Sequence, residues 1–275
     1  MKELPHTKQH TNRRKKPAHL KAKPPKRSRA SKAILVVLIV LLSLVFIFSA
    51  IKLISILQED REGNEINQKI VQSYVTEFEE PVTGEKKYTI DFEALRKINP
   101  DICGWIISEG TVINYPVVQG MDNSFYLTHA ADGTEHKYGA IFLDASSRPD
   151  FSDKNTAIYG HRMNSGAMFA SLLEYQNQDY YEKHPHLMLY TPERNYRLDV
   201  FSAYSVGEDE NYIAGRFADD QAFERFLKKC SSRSLIKTGV EVSASDRIVT
   251  LSTCTTWNQR ERFAVQAVLV DEAQE

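Results

Sequence analysis

Between Ala33 and Ile51 the chain reads AILVVLIVLLSLVFIFSAI, 19 residues without a charge, and KLISIL carries the apolar character past Lys52 to Leu57. A helix rising 1.5 Å per residue needs about 20 such residues to cross a bilayer core, and in lipid a lone segment satisfies its backbone only as a helix. A cleaved signal peptide would have a shorter apolar core ending in a small-residue site. Here the sequence stays apolar after Ser49 and Ala50, so the run reads as an uncleaved anchor. Residues 1–32 hold twelve Lys/Arg against Glu3 alone. The positive-inside rule keeps that tail in the cytoplasm and sends residues 58–275 outside, in a single pass through the cell membrane. Topology and attraction to anionic lipid account for the basic tail without nucleic acid as a partner. Taking the tail's twelve and Lys52 from the total of 35 leaves 22 basic residues beyond residue 57 against 35 acidic ones, so the exported part is acidic.

About 215 residues then remain, enough for one domain with a large core. The division expected is a basic tail at 1–32, an anchor at 33–57, a membrane-proximal helical region at 58–90 and one domain at 91–275. Ile66, Ile70, Val71, Tyr74, Val75 and Phe78 recur at helical spacing and predict an amphipathic helix over 62–80, ended by Pro81 and Gly84. A second helix fits 91–98, with Asp91 as its cap and Pro100 just beyond it. Short apolar or alternating runs follow at 105–107, 111–118, 138–144, 155–160, 186–191, 194–206, 246–254 and 262–271, the pattern of a β-barrel or sandwich. Helical signals interrupt them at 123–130, 166–176 and most clearly 219–230, where Phe223, Phe226 and Leu227 form a stripe. Three cysteines, Cys103, Cys230 and Cys254, are too few for a disulfide framework; one bridge at most can form, and Cys103 with Cys230 is the pairing that leaves Cys254 free. No CxxC or HExxH spacing occurs, so neither a metal site nor a cofactor is read.

Cys254 ends the run RIVTLSTC and precedes the polar TTWNQRE. Strand alternation puts Ile248, Thr250, Ser252 and Cys254 on one face. An antiparallel hairpin into the next run would set Arg262 beside the thiol, where a permanent cation with several donors could hold an oxyanion. A thiol is a poor nucleophile until ionised, so the chemistry also needs a base. His161, just after NTAIYG, is the best candidate. His6, His10 and His19 lie in the tail, and His129, His136, His184 and His186 sit in polar, loop-like surroundings. Taken singly, a cysteine at a strand end is more often a small buried residue and an arginine there a surface charge. Spacing leaves the triad and that plain reading both open.

TLSTC (250–254), RF (262–263) and IYGH (158–161) together resemble the sortases, specifically class B. INYPVVQG (113–120), NSFYL (123–127), GAIFLD (139–144) and GHRMNSGAMFASL (160–172) extend the likeness over residues 60–271. The resemblance implies a mainly β fold: an eight-stranded β-barrel with N-terminal helices and a helical insertion before the Cys-bearing strand. It implies Cys254 as nucleophile, His161 as general acid/base and Arg262 as the oxyanion or substrate stabiliser. Arg260 is a rival, but Arg262 directly precedes the aromatic of the last strand. Asn123, Leu127, Tyr159 and Ser252 carry over as walls of the substrate groove. Some class B members have an acidic residue just after the cysteine; Thr255, Thr256 and Trp257 stand here instead. The implied reaction is transpeptidation of surface proteins with a C-terminal NPxTx-like sorting signal, onto an amine of a peptidoglycan precursor or a pilin, in a Gram-positive bacterium. The competing functions are a cysteine protease, which would pass the acyl group to water, and a non-catalytic adhesion module on a membrane stalk.

Overall fold

A computed structural model describes residues 29–80, 84, 86–207, 209–254 and 261–272; Cys254 is described through its backbone. In chain order the elements are α1 (Arg29–Tyr74), β1 (Val75–Glu79), β2 (Lys86–Ile90), α2 (Phe92–Ile98), β3 (Ile102–Ile107), β4 (Asn114–Val118), β5 (Ile141–Leu143), β6 (Asn155–Tyr159), α3 (Gln178–Lys183), β7 (His186–Tyr190), β8 (Asn195–Gly207), α4 (Asp220–Arg233), β9 (Ile248–Cys254) and β10 (Glu261–Asp271). The chain divides into two compact units, Met1–Ser55 and Ile56–Glu275. By length and composition α1 is able to cross a membrane, and its apolar residues such as Leu42, Phe46 and Phe48 are exposed.

Eight strands close into a barrel in the order β10-β8-β7-β3-β4-β5-β6-β9. Alternation along each strand gives every strand an inward and an outward set of side chains. On β9, Val249 and Leu251 point into the central core with Phe263, Val265, Leu198 and Ile158, while Ile248 packs outward against Phe223, Leu227 and Cys230 of α4. On β3, Ile106 joins the central core, whereas Trp105 and Ile107 join an outer layer built with Ile70 of α1 and Leu95 of α2. The barrel is thus filled inside and flanked by helices on two faces. Each fully buried Leu or Phe side chain contributes roughly 1.5–3 kcal/mol of transfer free energy.

The helix expected over 62–80 stops at Tyr74; Val75–Glu79 is a strand paired antiparallel with β2, from Val75↔Ile90 to Glu79↔Lys86. Val75, Thr76 and Phe78 favour extended backbone, and pairing with KKYTI overrides the helical spacing. The signal at 123–130 yields one 3-10 turn, Phe125–Leu127, and that at 166–176 a 3-10 segment, Ala170–Gln176, followed by the unforeseen α3. The expected helix at 91–98 forms as α2, with Asp91 accepting from the Ala94 N–H. The helical insertion forms as α4, where Asp219 accepts from the Ala222 N–H. Cys103 and Cys230 are free, buried thiols in different core clusters, so the possible bridge between them does not form.

Candidate active site

Three strand ends converge at one rim of the barrel. β9 and β10 are antiparallel with Cys254 opposite Arg262, so the hairpin register read from sequence holds. β6 runs parallel to β9 on the other side, with Tyr159 opposite Ser252 and the Gly160 N–H donating to the Ser252 carbonyl at 3.1 Å. Parallel strands leave the sheet in the same direction. His161 and Cys254 each lie two residues beyond the Tyr159–Ser252 pair, so the chain brings them to the same rim, with the β6 end on one side of Cys254 and Arg262 on the other. A Cβ on Gly160 would come within 2.4 Å of Ile141 Cδ1 and 2.6 Å of Phe169 Cδ2, which is why glycine stands where β6 turns toward His161.

The His161 ring is anchored: its Nε2 lies 2.8 Å from the Leu127 carbonyl oxygen. With Nε2–H donating there, Nδ1 is the nitrogen left to accept a proton from a neighbouring group. The His161 carbonyl accepts from the Phe169 N–H at 3.0 Å. Leu127 ends the 3-10 turn, whose carbonyls pass close to Gly139. A Cβ there would stand 2.3 Å from the Tyr126 oxygen and 2.8 Å from the Leu127 oxygen, and φ is +59°. Glycine at 139 is what lets these two backbones meet.

A groove of about 620 Å³ opens along this rim. Asn123 and Leu127 line one side; Tyr159, Gly160 and His161 come from the end of β6; Ser252, Thr253 and Arg262 come from the β9–β10 pair, with Phe142 completing the lining. All four residues read as groove walls, Asn123, Leu127, Tyr159 and Ser252, therefore meet in one depression with His161 and Arg262. Arg260 and Thr255–Trp257 lie outside the described residues.

The wall contains a hydrogen-bonded network that the sequence reading missed. Asp144 accepts from the Tyr159 hydroxyl and from Asn123 Nδ2, each at 2.9 Å. Burial opposes its charge, yet the donors from Ser146, Tyr159 and Asn123 hold its carboxyl below the usual range. Burial, reinforced by the Asp144 charge, pushes the Tyr159 hydroxyl far up, so it stays protonated. Tyr212, in the β8–α4 connection, shares a hydrogen bond of 2.8 Å with the Ser252 hydroxyl. The Thr253 hydroxyl is buried without a partner. The one visible signal for Asp144 was an acid directly after the apolar IFL; nothing marked Tyr212. Burial disfavours ionisation of the two other thiols, pushing Cys103 up to about 12 and raising Cys230. Among the described residues, no group of three or more His, Cys, Asp or Glu could hold a metal ion.

A closed eight-stranded barrel with a helix before the Cys-bearing strand, and a cysteine brought between histidine and arginine strand ends, defines a sortase-type cysteine transpeptidase. The chain belongs to the sortase family: the family model for the sortase domain matches residues 109–270. Its relatives fall in class B. Sortase B of Listeria monocytogenes serovar 1/2a is 35% identical over 228 residues, which is 82% of this chain and 92% of that protein. The 2.0 Å crystal structure of Staphylococcus aureus sortase B is 38% identical with a TM-score of 0.64, covering 66% of this chain and 87% of the other. The crystal structure of sortase B from Bacillus anthracis in complex with AAEK1 has a TM-score of 0.69 at 34% identity, covering 78% of this chain and all of the other.

Proposed function

We propose that this transpeptidase is anchored in the cell membrane by α1, faces outward, and cleaves an NPxTx-like sorting signal after Thr. Cys254 as thiolate attacks the Thr carbonyl carbon. The tetrahedral oxyanion collapses, the C–N bond breaks, and His161 gives a proton to the departing amine. A thioester on Cys254 remains. An amine of a peptidoglycan precursor or a pilin then attacks it, loses a proton to His161, and leaves as an amide while the thiolate is released. Arg262 holds the carbonyl oxygen through both steps, where preorganised positive charge counts most. Asn123, Leu127, Tyr159 and Ser252 form the walls that seat the signal.

The observation that carries this reading is the strand register, with Cys254 opposite Arg262 and a parallel β6 ending in His161. A Staphylococcus aureus sortase B–substrate complex, 38% identical with a TM-score of 0.64 and covering 66% of this chain and 85% of the other, supports substrate binding by a fold of this kind. The uncharged run from Ala33 to Ile51 and the basic residues before it support the anchor and its orientation.

The full-length chain in detergent, mixed with NPxTx and LPxTG peptides with and without an amine acceptor, tests the reading by mass spectrometry. The expected products are a thioacyl adduct and an acceptor-dependent amide. Cys254→Ala should abolish both, and His161→Ala or Arg262→Ala should each slow turnover by roughly 10²- to 10⁴-fold. Hydrolysis at the same rate with acceptor present would mean a cysteine protease. No adduct with either peptide would favour an adhesion module.

A further inference from the structure

Asp144 is 7% exposed and lies just past β5, behind the groove rather than in its lining. Its two oxygens have different partners. Oδ1 accepts from the Ser146 N–H at 2.8 Å and the Ser146 hydroxyl at 2.6 Å, closing the turn that leaves β5. Oδ2 accepts from Asn123 Nδ2 and the Tyr159 hydroxyl, both at 2.9 Å and both on groove residues. Four donors fill the four acceptor positions of an ionised carboxylate.

That arrangement dictates what the wall can offer. The Ala145 N–H donates to Asn123 Oδ1 at 2.8 Å, so both ends of the Asn123 amide are assigned by the protein. One Nδ2 hydrogen is left for a ligand. The Tyr159 hydroxyl points its hydrogen at Asp144, so Tyr159 presents its ring to the groove. Asp144 thereby makes this wall a hydrogen donor beside an aromatic face, complementary to an acceptor oxygen on an extended peptide.

Resting on the groove reading above, we propose that Asp144 is the positioning residue for substrate recognition: through Oδ2 it fixes the donor polarity of Asn123 and the orientation of Tyr159, and so sets affinity for the sorting signal without touching it. Asp144→Asn separates this from a purely structural role. The new amide can keep the Oδ1 turn, but it puts an NH2 where two donors converge.

The experiment uses the full-length chain in detergent and records kcat and KM with an NPxTx peptide, the melting temperature, and the rate at which a small thiol reagent modifies Cys254. Asp144→Asn should raise KM roughly 10-fold, since hydrogen bonds to a charged group of this kind carry about that factor, with kcat within about 3-fold and thiol modification unchanged. Combining it with Asn123→Asp restores complementary partners but turns the groove-facing donor into an acceptor. The double variant should recover the melting temperature and keep the high KM. Recovery of KM along with stability, or an unchanged KM in Asp144→Asn, overturns the proposal. Should Asp144→Asn fail to fold, Tyr159→Phe reads the same contact: a KM rise of roughly 3-fold supports it, and unchanged KM refutes it. A wild-type chain that neither binds nor acylates with the peptide would instead bring down the functional reading itself.

Discussion

Gly139 shows how much a site can depend on a residue remote from its chemistry. A Cβ at 139 would stand only 2.3 Å from the Tyr126 oxygen and 2.8 Å from the Leu127 oxygen that anchors His161, and the left-handed φ of +59° adds strain for any other residue. Gly139→Ala should therefore lower stability by about 1–2 kcal/mol and displace the Leu127 carbonyl. Because the proposed mechanism makes His161 the acid/base group, and small misplacements of such a group cost catalysis heavily, kcat/KM should fall roughly 10- to 100-fold while peptide affinity changes less. Steady-state kinetics beside a thermal melt would separate the two effects. The sequence made Cys254 and Arg262 legible together, because a hairpin relates them through local register. It could not place His161 by physics, since a parallel β6–β9 contact joins residues 155–159 to 248–252 and leaves no local trace. Asp144 was hidden for a related reason: its meaning lies in Asn123, Tyr159 and Ser146, and two of those partners are distant in sequence.

Among the elements, the β8–α4 connection is held by charge as well as packing. Arg233 at the end of α4 donates to Glu210 and, at 3.0 Å, to the Ser205 carbonyl, while its guanidinium lies 4.7 Å over the Tyr204 ring. Two residues past Glu210, Tyr212 reaches Ser252 in the groove. The hydrogen bonds from Arg233 are foremost in lowering the Glu210 carboxyl from its ordinary 4.5 to about 2. A depressed carboxylate stabilises the fold above its ordinary value, and the contribution disappears as pH falls through the folded value. The melting-temperature gap between wild type and Arg233→Ala should thus be constant above about pH 4.5 and shrink toward pH 2. A gap that does not vary over that window would show that the pair contributes nothing through charge. The eight barrel strands were legible because each is an apolar or alternating run bounded by turn residues. The β1–β2 hairpin was not, since Tyr74, Val75 and Phe78 fit helical spacing as well as extended pairing, and the partner KKYTI decides between them. The 3-10 turn at Phe125–Leu127 reads as a longer helix in the sequence because its apolar residues share a helical spacing, while Asp122 Oδ1 accepts from the Ser124 and Phe125 N–H groups at its start.

For the whole molecule, the eleven-residue β10 of the closed barrel pairs with β8 along one edge and β9 along the other. Phe263 on it is fully buried in the central core. Phe263→Ala should cost about 3–5 kcal/mol, read as a lower denaturant midpoint at unchanged slope. The membrane reading belongs to this scale too: full-length chain expressed in cells should stay with the membrane pellet through alkaline carbonate extraction, and release into the supernatant would refute the anchor. The parallel join of β6 to β9 has a temporal meaning. Some ninety residues separate the two strands, and bringing them together carries the loop-closure entropy of that whole span, so such a contact forms late. The strand ends that carry His161 and Cys254 therefore meet as the cylinder closes, whereas Arg262 is set opposite Cys254 by the local β9–β10 hairpin. Under the proposed mechanism a half-folded chain holds Cys254 without its base, so acyl transfer is withheld until the barrel has closed.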